Sequence, residues 1–153
     1  MSQRVVTALV LIAVIAVVGY WYLSSDERRI KKALSEAKEA IENEDLDAAM
    51  SHVSLQYRDE RGWAYLIVKR VLERSFNEFD GIEIRMDVQT IEIREKEAEA
   101  RVGLTVLADL QGQKAFLLGN DAEPARAQIT LIKETLGWRI TAVNGLRPAA
   151  LEF

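Results

Sequence analysis

The sequence predicts an α+β fold of about three helices packed on a curved antiparallel sheet of four or more strands, behind an N-terminal transmembrane helix. Three observations predict it. Val5 to Leu23 (VVTALVLIAVIAVVGYWYL) carries no charge. Between Asp26 and Phe79 the apolar residues recur at helical spacing in three stretches, broken at Asn43 to Asp45 and by the polar loop Ser54 to Gly62. After Gly81 the period drops to two and stays there to about Asn144. Helices first and strands afterwards is the order of an α+β protein, with the helices on one face of the sheet.

The uncharged run is 19 residues long. At ~1.5 Å per residue it spans roughly 28 Å, close to a hydrocarbon core of about 30 Å. Tyr20, Trp21 and Tyr22 end it where an interfacial aromatic belt belongs. A cleaved signal peptide is the rival reading. Val17, Val18 and Gly19 are tolerable near a cut, but the aromatics beyond them and the lack of an A-x-A site argue for an uncleaved anchor. The division is therefore an anchor over 1–25 and one domain over 26–153. Orientation has two readings. Arg28, Arg29, Lys31 and Lys32, counted literally, place the domain in the cytoplasm. They are mixed with Asp26 and Glu27 in a helix of the domain itself, so their vote is weak. A short tail with Arg4 resembles a bacterial signal anchor. The expectation is a single-pass inner-membrane protein with an extracytoplasmic, periplasmic domain; a cytoplasmic domain is the alternative.

Ser24 to Glu27 fits a capping box, so a helix either restarts there or the anchor runs on. Ile30, Leu34, Ala37 and Ile41 form one apolar stripe, suited to packing on the sheet. Asp45 can cap a short second helix carrying Leu46, Ala49, Met50 and Val53. A third helix is expected from Arg61 to Phe79, ended by Asp80-Gly81. Ile82, Ile84, Met86 and Val88 alternate with polar residues, and Ile91 and Ile93 continue in the opposite phase. That slip predicts a bulge near Gln89-Thr90 and a bent sheet. Ala98 to Leu110 alternates throughout, with Glu95 to Glu97 as the turn before it. Lys114 to Leu118, Ala127 to Leu131 and a last strand opened by Trp138 and Ile140 complete the sheet. The tail from Leu146 is undecided, since Pro148 breaks any regular element.

Composition excludes several chemistries. The net charge is -4, and no acidic residue precedes Asp26, so the domain is mildly acidic and a poor partner for nucleic acid. Without cysteine there is no thiolate nucleophile and no cysteine metal site. His52 is the single histidine, and no carboxylate cluster has ligand spacing, so neither a metal nor a cofactor is expected. His52 is a weak catalytic candidate: no nucleophile-elbow sequence accompanies it.

Three stretches carry a family likeness: Glu44 to Ala49 after the opening helix, Tyr57 to Gly62 before the third helix, and Ile129 to Ile140, which closes on Gly137-Trp138-Arg139-Ile140. This pattern resembles the nuclear transport factor 2-like superfamily, which includes ketosteroid isomerases and polyketide cyclases. The resemblance covers about residues 26 to 145 and is one of pattern, not of a catalytic motif. It implies a cone-like (cystatin-like) fold with an apolar pocket at its open end, and a homodimer through the open sheet face. Isomerases of the superfamily use a carboxylate base with tyrosine and protonated aspartate donors. Asp59 and Tyr57 are the nearest candidates; otherwise Asp59 caps the third helix and Tyr57 covers the core edge. Asp87, Asp109, Arg101 and Arg139 fall on the outward phase of their strands. Met50, Trp63, Phe76, Phe79, Met86, Val102, Leu104 and Trp138 are the expected pocket walls, although such aromatics often serve only as core. The pocket's ligand would be apolar or amphipathic: a lipid fragment, a fatty acid or a polyketide-like molecule.

The functional expectation is a membrane-tethered, non-catalytic module that binds a hydrophobic small molecule or docks a partner protein. One alternative is an isomerase or cyclase acting on a small apolar substrate. Another is an accessory subunit of a membrane complex, packed through Thr7 and Gly19 of the span.

Overall fold

The computed structural model describes residues 3–147, the side chains of residues 3, 4 and 23 excepted. The tail from Pro148 lies outside the described residues. Among the described residues three helices, α1 (Gln3–Glu42), α2 (Leu46–Ser51) and α3 (Tyr65–Glu78), precede five strands: β1 (Asp80–Arg94), β2 (Glu97–Leu110), β3 (Gln113–Leu118), β4 (Ala125–Glu134) and β5 (Gly137–Asn144). The strands form one antiparallel sheet in the order β1-β2-β4-β5. The far half of β2 pairs β3 where β4 has ended. The fold is α+β with a curved sheet.

Helix α1 is continuous for 40 residues. The Ser24 capping box does not restart a helix, because no proline or glycine interrupts the chain between Gly19 and Glu42. Its first half is apolar and exposed, and is long and apolar enough to cross a membrane. Its second half packs the predicted stripe: Ile30 and Leu34 are buried against Ala98, Ala100 and Val102 of β2, Ala127, Ile129 and Leu131 of β4, and Trp138 of β5. The alanines on the sheet let the helix lie close. Each large apolar side chain fully buried there stabilises the fold by about 1.5–3 kcal/mol.

Asp45 caps α2, accepting from the Ala48 N–H at 3.0 Å. Helix α3 starts four residues later than the sequence suggests, at Tyr65. Asp59 accounts for the delay. Its Oδ1 accepts from the backbone N–H groups of Arg61 and Trp63, both at 3.0 Å, and so holds residues 59–63 in a tight loop instead of capping a helix. Gly62 sits in that loop at φ +78, a conformation costly for any side chain.

The bulge falls between Val88 and Thr90, as the phase slip predicts. Another register shift falls opposite Val106 and Leu107, where β3 carries the extra residue, and β2 keeps its phase: Leu104, Val106 and Ala108 stay on the inner face, while Thr105 and Leu107 are buried on the other. The outer edge of β5 is covered by residues 52–58. There Ser54 N–H donates to the Ile140 carbonyl at 2.8 Å and Arg58 N–H to the Thr141 carbonyl at 2.9 Å. Covering an edge in this way removes unpaired backbone groups that would template aggregation.

Candidate functional site: an apolar cavity between α1, α3 and the sheet

Between the second half of α1, helix α3 and the concave side of the sheet lies a cavity of about 330 Å³. Leu34, Ala37 and Ile41 line it from α1, and Val71, Leu72, Phe76 and the adjoining Phe79 from α3. Ile82, Ile84 and Met86 of β1, Leu104 and Val106 of β2, and Leu117 and Leu118 of β3 form the floor. The volume sits at the lower end of the roughly 300–1,000 Å³ of ordinary small-molecule pockets.

Few polar side chains reach it: Lys38, Arg61 and Ser75. Each has a partner. The Lys38 ammonium donates to Glu42 at 2.7 Å, and the other oxygen of Glu42 accepts from the Ile84 N–H at 3.0 Å. Ser75 Oγ donates to the Val71 carbonyl at 2.8 Å. The Arg61 guanidinium donates to the Leu146 carbonyl and lies 5.1 Å from the centre of the Trp63 ring. Among the described residues no carboxylate and no imidazole lines the cavity.

Of the residues that the sequence suggests as pocket walls, Trp63, Phe76, Phe79, Met86 and Leu104 meet at the cavity. Met50, Val102 and Trp138 do not. Met50 packs with Val53 and Tyr57 in a separate cluster under α2. Val102 and Trp138 are on the correct face but nearer the apolar half of α1, filled over by Ile30 and Leu34.

The three catalytic candidates also lie outside the lining. Tyr57 is buried; its hydroxyl donates to Asp59 Oδ2 at 3.0 Å and accepts from the Val143 N–H at 3.2 Å. Burial, and then the neighbouring Asp59 carboxylate, push the phenol well above its ordinary range, so it stays protonated. Both oxygens of Asp59 are therefore engaged in joining the loop before α3 to β5. His52 ends α2, with its Nε2 3.8 Å from Glu36. Asp87 is exposed and Asp109 half-buried; Arg101 and Arg139 pair with Glu99 at 3.5 Å and Glu134 at 3.4 Å. Among the described residues no group of His, Asp or Glu is placed to hold a metal ion.

Sequence reasoning missed Leu34, Ala37 and Ile41 as cavity walls. The signal for them was present in the α1 stripe, which serves both the core and the cavity.

No family model matches the sequence, and no curated protein does either. Solved structures do. A nuclear transport factor 2-like protein with a cystatin-like fold from Novosphingobium aromaticivorans superposes with a TM-score of 0.70 at 15% identity, covering 90% of this chain and 96% of its own. A nuclear transport factor 2-like superfamily protein from Salmonella enterica gives 0.67 at 15% identity, over 85% and 97%. A candidate scytalone dehydratase from Novosphingobium aromaticivorans gives 0.68 at 12% identity, over 84% and 96%. The chain thus has the nuclear transport factor 2-like fold. At these identities the likeness is one of fold, and this fold carries many activities.

Proposed function

We propose that the chain is a membrane-tethered, non-catalytic module: residues 1–25 anchor it, and residues 26–153 form a domain whose cavity binds an apolar or amphipathic small molecule such as a fatty acid or lipid fragment. The observation that carries this reading is a cavity walled mainly by aliphatic and aromatic side chains, with no carboxylate or imidazole among its lining residues and with its one lysine, Lys38, paired to Glu42. Binding there would gain from apolar burial, with Arg61 and Lys38 available to the polar end of an amphipathic ligand. The anchor reading rests on the uncharged run and its aromatic end, and the extracytoplasmic side on the short Arg4 tail. Dehydratases among proteins of this fold keep an isomerase or cyclase reading in view. The geometry around Asp59 weighs against it, because neither Asp59 nor Tyr57 lines the cavity. A partner-docking subunit is what remains if the cavity takes no ligand.

Native mass spectrometry of the full chain, released from detergent, tests the reading. The expected result is a reproducible extra mass of small-molecule size that is not detergent. It should be absent from Ser75→Phe, whose ring would occupy the cavity. A bare mass for the wild-type chain would sink the ligand-binding reading in favour of partner docking.

A further inference from the structure

The end of the domain nearest the anchor is built differently from the cavity end. Asp26 is only 2% exposed, although it lies three residues past the apolar run. Lys133 of β4 meets it, with Nζ 3.1 Å and 3.3 Å from the two carboxylate oxygens and 3.0 Å from the Tyr22 hydroxyl. Trp138 Nε1 donates to the same carboxylate at 3.4 Å. The ammonium also lies 4.8 Å from the centre of the Tyr22 ring. These contacts join the last turn of the apolar run to the hairpin between β4 and β5. The backbone N–H of Lys133 donates to the Lys96 carbonyl at 2.8 Å, bringing the β1–β2 turn to the same end.

At the tip of the β4–β5 hairpin, just beyond the Glu134–Gly137 pair, stands Leu136, 85% exposed. Strand β4 runs from Ile129, at the cavity, toward Lys133, at Tyr22, so the tip points along the helix toward the membrane. Asp26 lies ~4–5 Å above the end of the apolar run at about 1.5 Å per helical residue. The tip lies two to three residues beyond Lys133, or ~7–10 Å at about 3.3 Å per strand residue. The leucine is thereby carried to the level of Leu23 or just below it.

We propose that Leu136 is a second membrane contact, inserted at the boundary between headgroups and acyl chains, and that the Asp26–Lys133–Tyr22–Trp138 cluster holds the hairpin there. This rests on the reading of α1 as a membrane anchor. The chemistry fits a lipid surface. An exposed leucine at a hairpin tip gains from burial in acyl chains. Exposed Arg28 and Arg29 of α1 and Lys96, whose carbonyl accepts from the Lys133 N–H, belong to the same end of the domain, where Glu95 and Glu97 flank Lys96, so the leucine and not net charge carries the contact. Because α1 has no break between span and domain, two fixed contacts would set the domain's orientation on the bilayer. Leu34 and Ile41, at the cavity, would then stand about 16 and 27 Å above the end of the span. Ligand would reach the cavity from the aqueous side and not by direct partition from the bilayer.

The chain has no cysteine, so single sites can be labelled cleanly. Full-length Leu136→Cys, carrying an environment-sensitive fluorophore, is reconstituted in vesicles of phosphatidylcholine and phosphatidylglycerol. Gln113→Cys at the opposite end of the sheet is the control. The expected result is blue-shifted emission at position 136, quenched by lipid spin-labelled near the headgroup, with neither effect at 113. Lys133→Met in the labelled chain should lessen the quenching; unchanged quenching would remove the cluster from the proposal. Equal, water-like emission at both sites in a chain that floats with the vesicles overturns the second contact alone. A chain that fails to float overturns the anchor reading, and the second contact with it.

Discussion

Where α1 crosses the concave side of the sheet, Ile30 and Leu34 lose nearly all their exposure, whereas α3, over the same side, buries no residue fully. Both helices are amphipathic. The difference lies in what they present to the sheet. Helix α1 offers Ala37 and Ala40 beside its large residues and meets Ala98, Ala100 and Ala127, so backbones approach closely. Helix α3 offers Phe76, with Phe79 just beyond its end, and Trp63 before its start. Such bulk props the helix away and leaves the cavity. Helix α1 is therefore core at Ile30 and Leu34 and borders the cavity only from Leu34 onward, at Ala37 and Ile41, whereas α3 is chiefly the cavity's wall.

The largest effect should follow from cutting into the α1 side. Ile30→Ala leaves a void where the side chain is 0% exposed, and such truncations cost about 2–5 kcal/mol. Urea unfolding of the full chain in micelles should show that loss. A change no larger than that of a surface alanine would mean that α1 is not the core helix and would erase the contrast.

A middle-sized effect belongs to the tether that holds the start of α3. Tyr57→Phe strips a partner from Asp59 and from the Val143 N–H, leaving buried polar groups unpaired at about 1–3 kcal/mol. Its pH dependence has a definite sign. The folded-state phenol titrates above its unfolded value of about 10, so the unfolded chain gives up that proton first. The tyrosine's contribution is full below about pH 10 and falls as pH rises toward the folded value. The wild-type chain should lose stability in that alkaline window, and Tyr57→Phe should lose less. Parallel curves for the two chains would show that the buried phenol is not the group responsible.

Much of this contrast was legible in the sequence. Period 3.6 marked the stripe of α1, period 2 marked the strands, and the slip at Gln89-Thr90 marked a real bulge. Periodicity reports which face a residue occupies, but not its level along the strand. Val102 and Trp138 therefore looked like pocket walls and proved to be core beneath Ile30, because level depends on register between strands distant in sequence. The start of α3 was hidden for a similar reason. Asp59 looks like a helix cap, yet its acceptors are taken by a loop tied to β5 through Tyr57. Nothing local could reveal the Asp26–Lys133 pair, whose members stand 107 residues apart.

The smallest effect sharpens the comparison most. Leu66, on the outer side of α3, is 70% exposed, so Leu66→Ala should change stability by no more than about 0.5 kcal/mol. The inner side of that helix borders a cavity, so its backbone amides are held by fewer packed neighbours than those of β2, which has paired strands on both edges. Local opening follows packing of this kind, and hydrogen exchange should find α3 opening at lower free energy than β2. In Leu66→Ala the exchange of both elements should be almost unchanged, since the removed side chain touches neither the core nor the cavity. A loss of several kcal/mol instead would mean that α3's outer face is covered by something, such as a second copy of the chain, and the helix would then be an interface as well as a wall.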